Sequence, residues 1–368
     1  MKILCTADWQ LGKAFGRIGA AGDSFREQLL LTAEQIITTT AEEQGADIIL
    51  ILGDTFDRPD ADWALIERVA MMLRNSEKPI HLIPGNHDPW QSGGALESLS
   101  RELDDVDHVV FHTEQTACHI EEFGLTLYPG VLRQRFDMGD LTSWIPDRED
   151  SDGLRVGMFH GSIMSIGGED ARQRSIDPDV SESRDLDLTL MGDWHGGESL
   201  DQPDRRLWYA GAPEPQRIDH DWKGRVLLID AEPGREPIVE PIVVGSLKFI
   251  DFEFEFDLDM GDPVLALGEA LDGIEGAPEL TYIRFSLTGE MLAGEIEGVM
   301  DRLEDFSGDW PFHSRRRRGL AVVQEDPAEA DDERLHAVEA ELHGMGLEDD
   351  VLARATVLLR RFHRRLRQ

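Results

Sequence analysis

Five times before residue 196, this chain runs an apolar stretch of strand length into a short cluster of carboxylate, amide or imidazole side chains. Ile3-Leu4-Cys5-Thr6-Ala7 ends on Asp8, and Ile48-Ile49-Leu50-Ile51-Leu52 ends on Gly53-Asp54-Thr55-Phe56-Asp57. His81-Leu82-Ile83-Pro84-Gly85 ends on Asn86-His87-Asp88, and two later runs end on Phe159-His160-Gly161 and Gly192-Asp193-Trp194-His195. The carboxyl ends of strands are where an open α/β sheet gathers its ligands. A polar turn explains any one of these clusters. It does not explain the series, which predicts one site assembled from five strand ends.

The intervals between the clusters set the fold class. Ser24-Phe25-Arg26-Glu27 has the spacing of a capping box and predicts a helix through about Gln44, with Leu29, Leu30, Ala33, Ile36 and Ile37 on its apolar side. Asp47–Leu52 is a continuous apolar run of the kind buried on both faces of a sheet. A helix from about Asp62 to Arg74 and a strand over Pro79–Ile83 complete a β-α-β-α-β pattern, so a layered α/β domain is expected. From Val106 the rhythm shortens. Strands are expected over Val109–Phe111, Ala117–Ile120, Leu125–Tyr128, Leu154–Phe159 and Leu186–Met191. Leu207–Ala210 and Val226–Ile229 read as closing strands of a second sheet, and the stretches 147–152 and 169–185 as long surface loops.

A domain boundary is expected near Gly245, which makes residues 1–244 the first domain. In residues 245–324, Lys248–Phe256 alternates as a strand, Pro263–Leu271 is helical, Leu280–Leu287 is a strand and Met291–Leu303 is helical. Such a unit is a small α+β accessory domain of ordinary size. Residues 325–345 read as an acidic linker leading into a helix. Residues 346–368 read as a basic amphipathic helix. From Val351 onward the tail has six arginines and no acid, with Leu352, Ala355, Leu359, Phe362 and Leu366 at helical steps. Three readings of the tail stay open: a packed terminal helix, a helix docking on a partner's helices, and a contact with a membrane surface or DNA.

Charge narrows the partners. Seventy-four acids face 36 bases, a formal charge of −38, and lysine occurs only at Lys2, Lys13, Lys78, Lys223 and Lys248. A field of that sign repels polyanions, and most of the acids read as a solvated surface of the kind suited to high internal salt. A polyanionic substrate therefore needs metal ions, local arginines or a partner protein. Arg315, Arg316, Arg317 and Arg318 are a local exception, either a solvated loop or a phosphate contact. No apolar run is long enough to span a membrane, and Met1-Lys2 enters a strand directly with no room for a signal peptide. The cysteines, Cys5 and Cys118, make no disulfide framework. The expectation is a cytoplasmic protein without a membrane partner.

The clusters suit two divalent ions that clamp both the attacking water and the leaving oxygen of a phosphate ester. Asp54 is the natural bridging carboxylate, with Asp8 holding one ion and Asn86 and His160 the other. Oxygen and imidazole donors together suit manganese, iron or zinc better than calcium. His87 is placed to protonate the leaving oxygen, oriented by Asp88 or Asp57. Each has a plainer reading: His160 as a buried strand-end histidine bonded to backbone, Asp57 as a turn or helix-entry residue. Trp9 and Trp194 either pack the site's walls or stack on a base. His112, His119 and His220 fall outside the motifs and read as structural or surface residues.

Asp8, Gly53-Asp54 with Asp57, Gly85-Asn86-His87-Asp88, His160-Gly161 and the late Gly-x-x-His resemble the calcineurin-like metallophosphoesterase superfamily. The match is nearest to its SbcD branch of bacterial DNA-repair exonuclease subunits, and Trp208 to Pro215 is similar to the Tyr-x-Gly segment of that branch. The resemblance covers about residues 1–230 by motif and the rest by layout. It implies a four-layer α-β-β-α sandwich and a manganese-dependent DNA nuclease, with magnesium, iron or zinc as other possible ions. It further implies a DNA-binding cap after residue 245, an SbcC-type, SMC-like ATPase docked on the C-terminal helices, and a homodimer. Two motifs depart from the family pattern. Asp8-Trp9-Gln10 replaces Asp-x-His, and Gly192-Asp193-Trp194-His195 replaces Gly-His-x-His, a pairing that a variant SbcD-like branch shares. Asp193 can ligate through oxygen and Gln10 only weakly through its amide, which loosens the ion expected between Asp8, Asp54 and His195. The core motifs serve small phosphodiesters and monoesters equally well, and a catalytically weak scaffold for an ATPase is the remaining alternative.

Overall fold

The computed structural model describes the chain except for residues 19–20, 136–139, 150–152, 164–174, 197–205, 221, 259, 317–318, 324–332, 347–351, 353–354, 356–358 and 360–368. Its strands, in chain order, begin with β1 (Lys2–Thr6), β2 (Ile48–Leu52), β3 (Ile80–Ile83), β4 (Val109–Phe111), β5 (Cys118–Ile120) and β6 (Leu125–Pro129). They continue with β7 (Leu154–His160), β8 (Ser162–Ile163), β9 (Ser175–Ile176), β10 (Leu188–Gly192), β11 (Leu207–Tyr209), β12 (Arg225–Asp230) and β13 (Ile238–Val243). The chain divides into two compact units, the second made chiefly of the residues from Lys248 onward.

The first unit contains two large sheets. One has the order β13-β12-β1-β2-β3-β4 and the other β11-β10-β7-β6-β5. Alternation along the strands explains why they face each other. Ile3, Cys5, Ile48, Leu50 and Leu52 from one sheet share a core with Leu125, Leu127, Val156, Met158, Leu188 and Leu190 from the other. Residues of opposite parity, Leu4, Ile49 and Ile51, are equally buried, beneath a helical layer. That double burial is why β2 reads as an unbroken apolar run. On the second sheet the outward residues Tyr128, Phe159, Met191 and Tyr209 pack with Leu132, Leu141, Ile145 and Val180. The architecture is an α-β-β-α sandwich.

The helices follow their local signals with one exception. Trp63–Arg74 is capped by the Asp62 carboxylate, which accepts from the Leu65 amide, and buries Ile66, Val69 and Leu73. The first helix starts at Ala21, so Ser24 lies inside it instead of capping it, and Asp23 in its first turn pairs with Arg26. It passes through a wide π turn at Ile36–Thr40 into a last turn at Ala41–Glu43. Thr38 bonds back to the Glu34 carbonyl there at 2.7 Å, a side-chain competitor that loosens the ladder.

One strand changes sheets relative to expectation. β12, read from sequence as closing the second sheet, pairs antiparallel with β1 in the first, with Leu4 opposite Leu228. This covers the edge that β1 would otherwise expose and places Leu227 and Ile229 in the inter-sheet core. β13 and the helix Ala95–Glu102 are additions to the expected elements. β13 is a largely exposed edge strand carrying Pro241, so it has no apolar run to betray it.

The second unit is built on β14 (Lys248–Phe256) and the long β15 (Thr281–Leu292), with β16 (His313–Arg316) and β17 (Leu320–Val323) end to end along the far edge of β15. Helices Pro263–Asp272 and Ile296–Asp309 cover it, burying Leu267, Leu271, Val299 and Leu303 against Ile283, Phe285 and Leu287. Arg315 and Arg316 belong to β16 and so are not a loop, while Arg317 and Arg318 lie outside the described residues. The linker 325–332 and nearly all of the basic tail also lie outside them. Among the described residues no helix is long and apolar enough to cross a membrane. Phe285 is fully buried and meets Phe252 and Phe306 edge-on, at centroid distances of 5.6 and 6.1 Å. Phe285→Ala should lower the unfolding free energy in urea by about 3–5 kcal/mol.

Candidate metal centre

Parallel pairing brings the strand ends together. β1, β2 and β3 are neighbours in one sheet, and β7 and β10 in the other. The first two loops are laced by backbone bonds, from the Asp8 amide to the Gly53 carbonyl at 3.1 Å and from the Gln10 amide to the Asp54 carbonyl at 2.8 Å. Asp8, Gln10, Asp54 and Asp193 all have positive φ, at 55°, 46°, 53° and 94°. Such conformations cost roughly 1–3 kcal/mol each and persist only where their surroundings impose them. Space is as tight as the backbone. A Cβ on Gly53 would lie 2.6 Å from His160 Nδ1 and 2.7 Å from the Gly85 Cα, and one on Gly85 would run into the Asp54 carboxylate.

The bracing group is Asp88. Its carboxylate accepts from the amides of Gly85 at 2.8 Å, Phe56 at 3.0 Å and Asp54 at 3.1 Å. It therefore ties two loops together and leaves the orientation of His87 to Asp57. His87 Nδ1 lies 2.8 Å from the Asp57 carbonyl and 3.8 Å from its carboxylate. The same histidine's backbone N–H donates to Asp54 Oδ1 at 2.8 Å. Nδ1 is thus occupied, and Nε2 is left for other partners.

Asp8, Asp54 and His160 are buried, with one ligating atom of each within 4.8 Å of the others. His160 keeps the parity of Val156 and Met158, which points it at the first sheet. Its Nδ1 donates to the Leu52 carbonyl at 2.7 Å. Nε2 then faces Asn86 Oδ1 at 3.1 Å, Asp54 Oδ1 at 3.4 Å and Asp193 Oδ1 at 3.8 Å. Nδ1 thus makes the backbone bond of the plainer reading, and Nε2 faces the candidate ligands. Asp193 accepts from Ser162 Oγ at 2.7 Å, and its amide donates to the Asp8 carboxylate at 3.1 Å. His195 sits behind Gln10, 3.2 Å from its amide nitrogen, and its own buried Nδ1 has no hydrogen-bond partner. Trp9 is buried and bonded to Thr6 Oγ1, a wall residue, whereas Trp194 is exposed.

Several contributors carry no sequence signal of their own. Lys13 Nζ donates to Gln10 Oε1 and lies 3.3 Å from Asp57 Oδ1. It holds the Gln10 amide with its nitrogen toward Asp54, 3.5 Å from Oδ2. Gln216 Nε2 donates to the Asp8 carbonyl at 3.0 Å, and Tyr209 bridges the Gly161 carbonyl and the Ile163 amide. Polar residues in the segment from Trp208 onward are the trace they leave in the sequence. In the second unit, Arg315 turns toward Ser307 Oγ at 3.2 Å and the Glu304 carboxylate at 3.9 Å, while Arg316 is exposed.

The centre is short of positive charge. Burial raises the Asp8 carboxyl well above the ordinary range, and Asp54 and Asp193 add to that, against His160. Burial also opposes a charge on His160, yet Asp54, Asp8 and Asp193 outweigh it and push the imidazole up to about 9. Burial, then Asp54, takes Asp88 to about 7. His195 goes the other way, to about 3, through burial and the neighbouring His220 and Lys13. A buried cluster that gathers protons in this way fits a divalent ion that would displace them, and neutral His195 is ready to ligate. Since His160 must lose its proton to ligate, manganese affinity should rise with pH by up to about tenfold per unit from pH 6 and level off near pH 9. Calorimetry in buffers of different ionisation enthalpy should show proton release. A pH-independent affinity would mean that His160 is already neutral.

Comparison with known proteins places the sequence in a family. The chain is 22% identical over 288 residues to the SbcD component of the SbcCD nuclease of Bacillus subtilis (strain 168), covering 67% of this chain and 71% of that protein. Among solved structures, TT1561 of Thermus thermophilus aligns with a TM-score of 0.40 at 15% identity, over 66% of this chain and 98% of its own. Zinc-complexed Vps29 from Entamoeba histolytica aligns at 0.32 and 12%, over 66% and 99%. Scores this low leave the fold to be read from the chain's own sheets. The model of the calcineurin-like phosphoesterase family matches residues 1–197, more than half of the sequence and all five strand-end clusters. The chain belongs to that family of divalent-metal phosphoesterases.

Proposed function

We propose that the protein is a manganese-dependent DNA nuclease that hydrolyses phosphodiester bonds as the nuclease subunit of an SbcCD-like DNA-processing complex in the cytoplasm. The observation that carries the reading is His87, held by the Asp57 carbonyl at the rim of the Asp8–Asp54–His160 cluster. In this reading Asp8, Asp54, Asn86, His160, Asp193 and His195 would hold two divalent ions, with the buried Asp8–Asp54–His160 group at the core of the donor set. When bound, the ions supply Lewis acidity toward the phosphate and a water-derived nucleophile at neutral pH. His87 presents Nε2 to the leaving oxygen and protonates it, and Asp57 keeps the ring from turning away. Gln10 would add a donor only by rotating its amide and giving up Lys13.

Substrate class rests on similarity to SbcD and on the segments beyond the phosphoesterase sandwich. A small-substrate enzyme has little need of a second unit carrying Arg315 to Arg318 or of a tail with six arginines and no acid. We assign residues 245–324 to capping and DNA contact, and residues 346–368 to docking on the coiled coil of an SbcC-type ATPase.

The test is digestion of linear and single-stranded DNA by the purified chain with manganese, beside a generic aryl phosphodiester. Wild type should cleave DNA, and Asp54→Ala should abolish both cleavage and two-ion occupancy. His87→Ala should keep its metal but slow turnover by roughly two to four orders of magnitude, the usual loss for a general acid. Turnover of the aryl ester with no DNA cleavage, even after addition of the ATPase, would replace this reading with a small-molecule phosphodiesterase.

A further inference from the structure

A second set of ligating side chains lies on the other margin of the sandwich and shares no residue with the centre described above. His81 is the second residue of β3, His112 follows β4 directly, and Cys118 opens β5. One ligating atom of each lies within 4.8 Å of the others. His81 Nδ1 and His112 Nε2 are 3.1 Å apart, in rings stacked at a centroid distance of 5.2 Å. Both imidazoles are almost completely buried, and the thiol is half-buried.

We propose that His81, His112 and Cys118 bind a zinc-class divalent ion. Zinc holds nitrogen at about 2.0–2.1 Å and sulfur at about 2.3 Å. Tetrahedral geometry with those lengths separates two nitrogens by about 3.3 Å and a nitrogen from sulfur by about 3.6 Å. The imidazole pair already has the first spacing. The sulfur lies within 4.8 Å of both nitrogens, so it needs to close by at most about an ångström, within reach of a side-chain rotation. The donors also differ in kind from the catalytic set. A thiolate with two imidazoles selects zinc over manganese or magnesium, whereas carboxylate-rich centres do the reverse. Ligation through the thiolate releases the Cys118 proton. Three protein ligands leave the fourth position to solvent or a further ligand on the exposed side of Cys118.

Topology says what such an ion does. β4 is the edge of the first sheet and β5 the edge of the second, and the chain passes from one to the other through residues 112–117. An ion on His81, His112 and Cys118 clasps the two sheets along the margin where neither has another strand to pair with. Cys5, the other cysteine, is buried in the inter-sheet core, so a thiolate–metal signal can only report Cys118.

The experiment is titration of the chelator-stripped full chain with cobalt, followed by absorption. Wild type and Asp54→Ala should both develop a near-ultraviolet thiolate-to-cobalt band and intense tetrahedral visible bands that saturate at one ion per chain. Zinc should bleach them. Cys118→Ser should lose the near-ultraviolet band. His112→Gln, a second variant should the first fold poorly, should weaken cobalt binding by at least about tenfold, as expected for the loss of one direct ligand. None of these readouts depends on hydrolysis, so failure of the nuclease reading leaves them intact. A wild-type chain without the near-ultraviolet band, or a band that survives Cys118→Ser, overturns the proposal and leaves the histidines as a simple hydrogen-bonded pair.

Discussion

The burial of Asp54 is the constraint from which the rest of the site derives. A carboxylate taken out of water is costly unless donors surround it, and here they come from backbone. The His87 amide donates to Asp54 itself, and the Asp193 amide to its neighbour Asp8. Aiming these N–H groups inward requires loops that turn sharply straight after their strands. Hence the left-handed conformations at Asp8, Gln10, Asp54 and Asp193 and the absence of side chains at Gly53 and Gly85. Asp88 secures the arrangement from beneath, because three amides on two loops share its carboxylate. The strain is distributed over one small region and held there by the two packed sheets.

Charge balance explains the altered first motif. Asp193 brings an additional carboxylate toward His160, while Lys13 brings an ammonium to Gln10 and Asp57. A neutral amide at position 10 tolerates both neighbours. It accepts from the lysine with one end and donates toward Asp54 with the other. An imidazole there would meet Lys13 and His195 at once, and the Lys13 ammonium would disfavour its charged form. Gln10 and Lys13 thus act together beside Asp54 and Asp57.

The strand ends are legible because each pairs an apolar run with a polar stop, and both halves of that signal are local. The hidden part is non-local. Lys13 meets Gln10 only because the loop after β1 doubles back, and Asp88 reads as a partner for His87 until the amides of Gly85, Phe56 and Asp54 claim it. β12 is visible as a strand, but its sheet is not, since either edge could have accepted its continuous apolar run. His81, His112 and Cys118 sit at intervals of 31 and 6 residues that match no ligand motif, and they become a cluster only once β3, β4 and β5 are set in place. The family resemblance reaches the phosphoesterase sandwich securely and says less about the second unit, where Arg315 turns partly inward toward Ser307.

The acidity of the chain bears on how such a centre could meet a polyanion. Many of its arginines are already engaged: Arg58 with Asp60, Arg68 with Glu27, Arg74 with Asp105, Arg217 with Asp219, Arg284 with Asp251 and Arg302 with Asp272. Paired this way they present little net charge to a phosphate. Attraction must then come from ions at the centre and from the arginines at positions 315–318 and in the tail. Long-range repulsion by the remaining acids decays over about 8 Å at physiological ionic strength and about 3 Å at 1 M salt. At high salt the acidic surface becomes nearly invisible to an approaching phosphate, while short contacts to buried ions are screened far less. For a polyanionic substrate, a chain of this composition would offer recognition at contact range in place of steering, and a basic partner or tail would restore the steering.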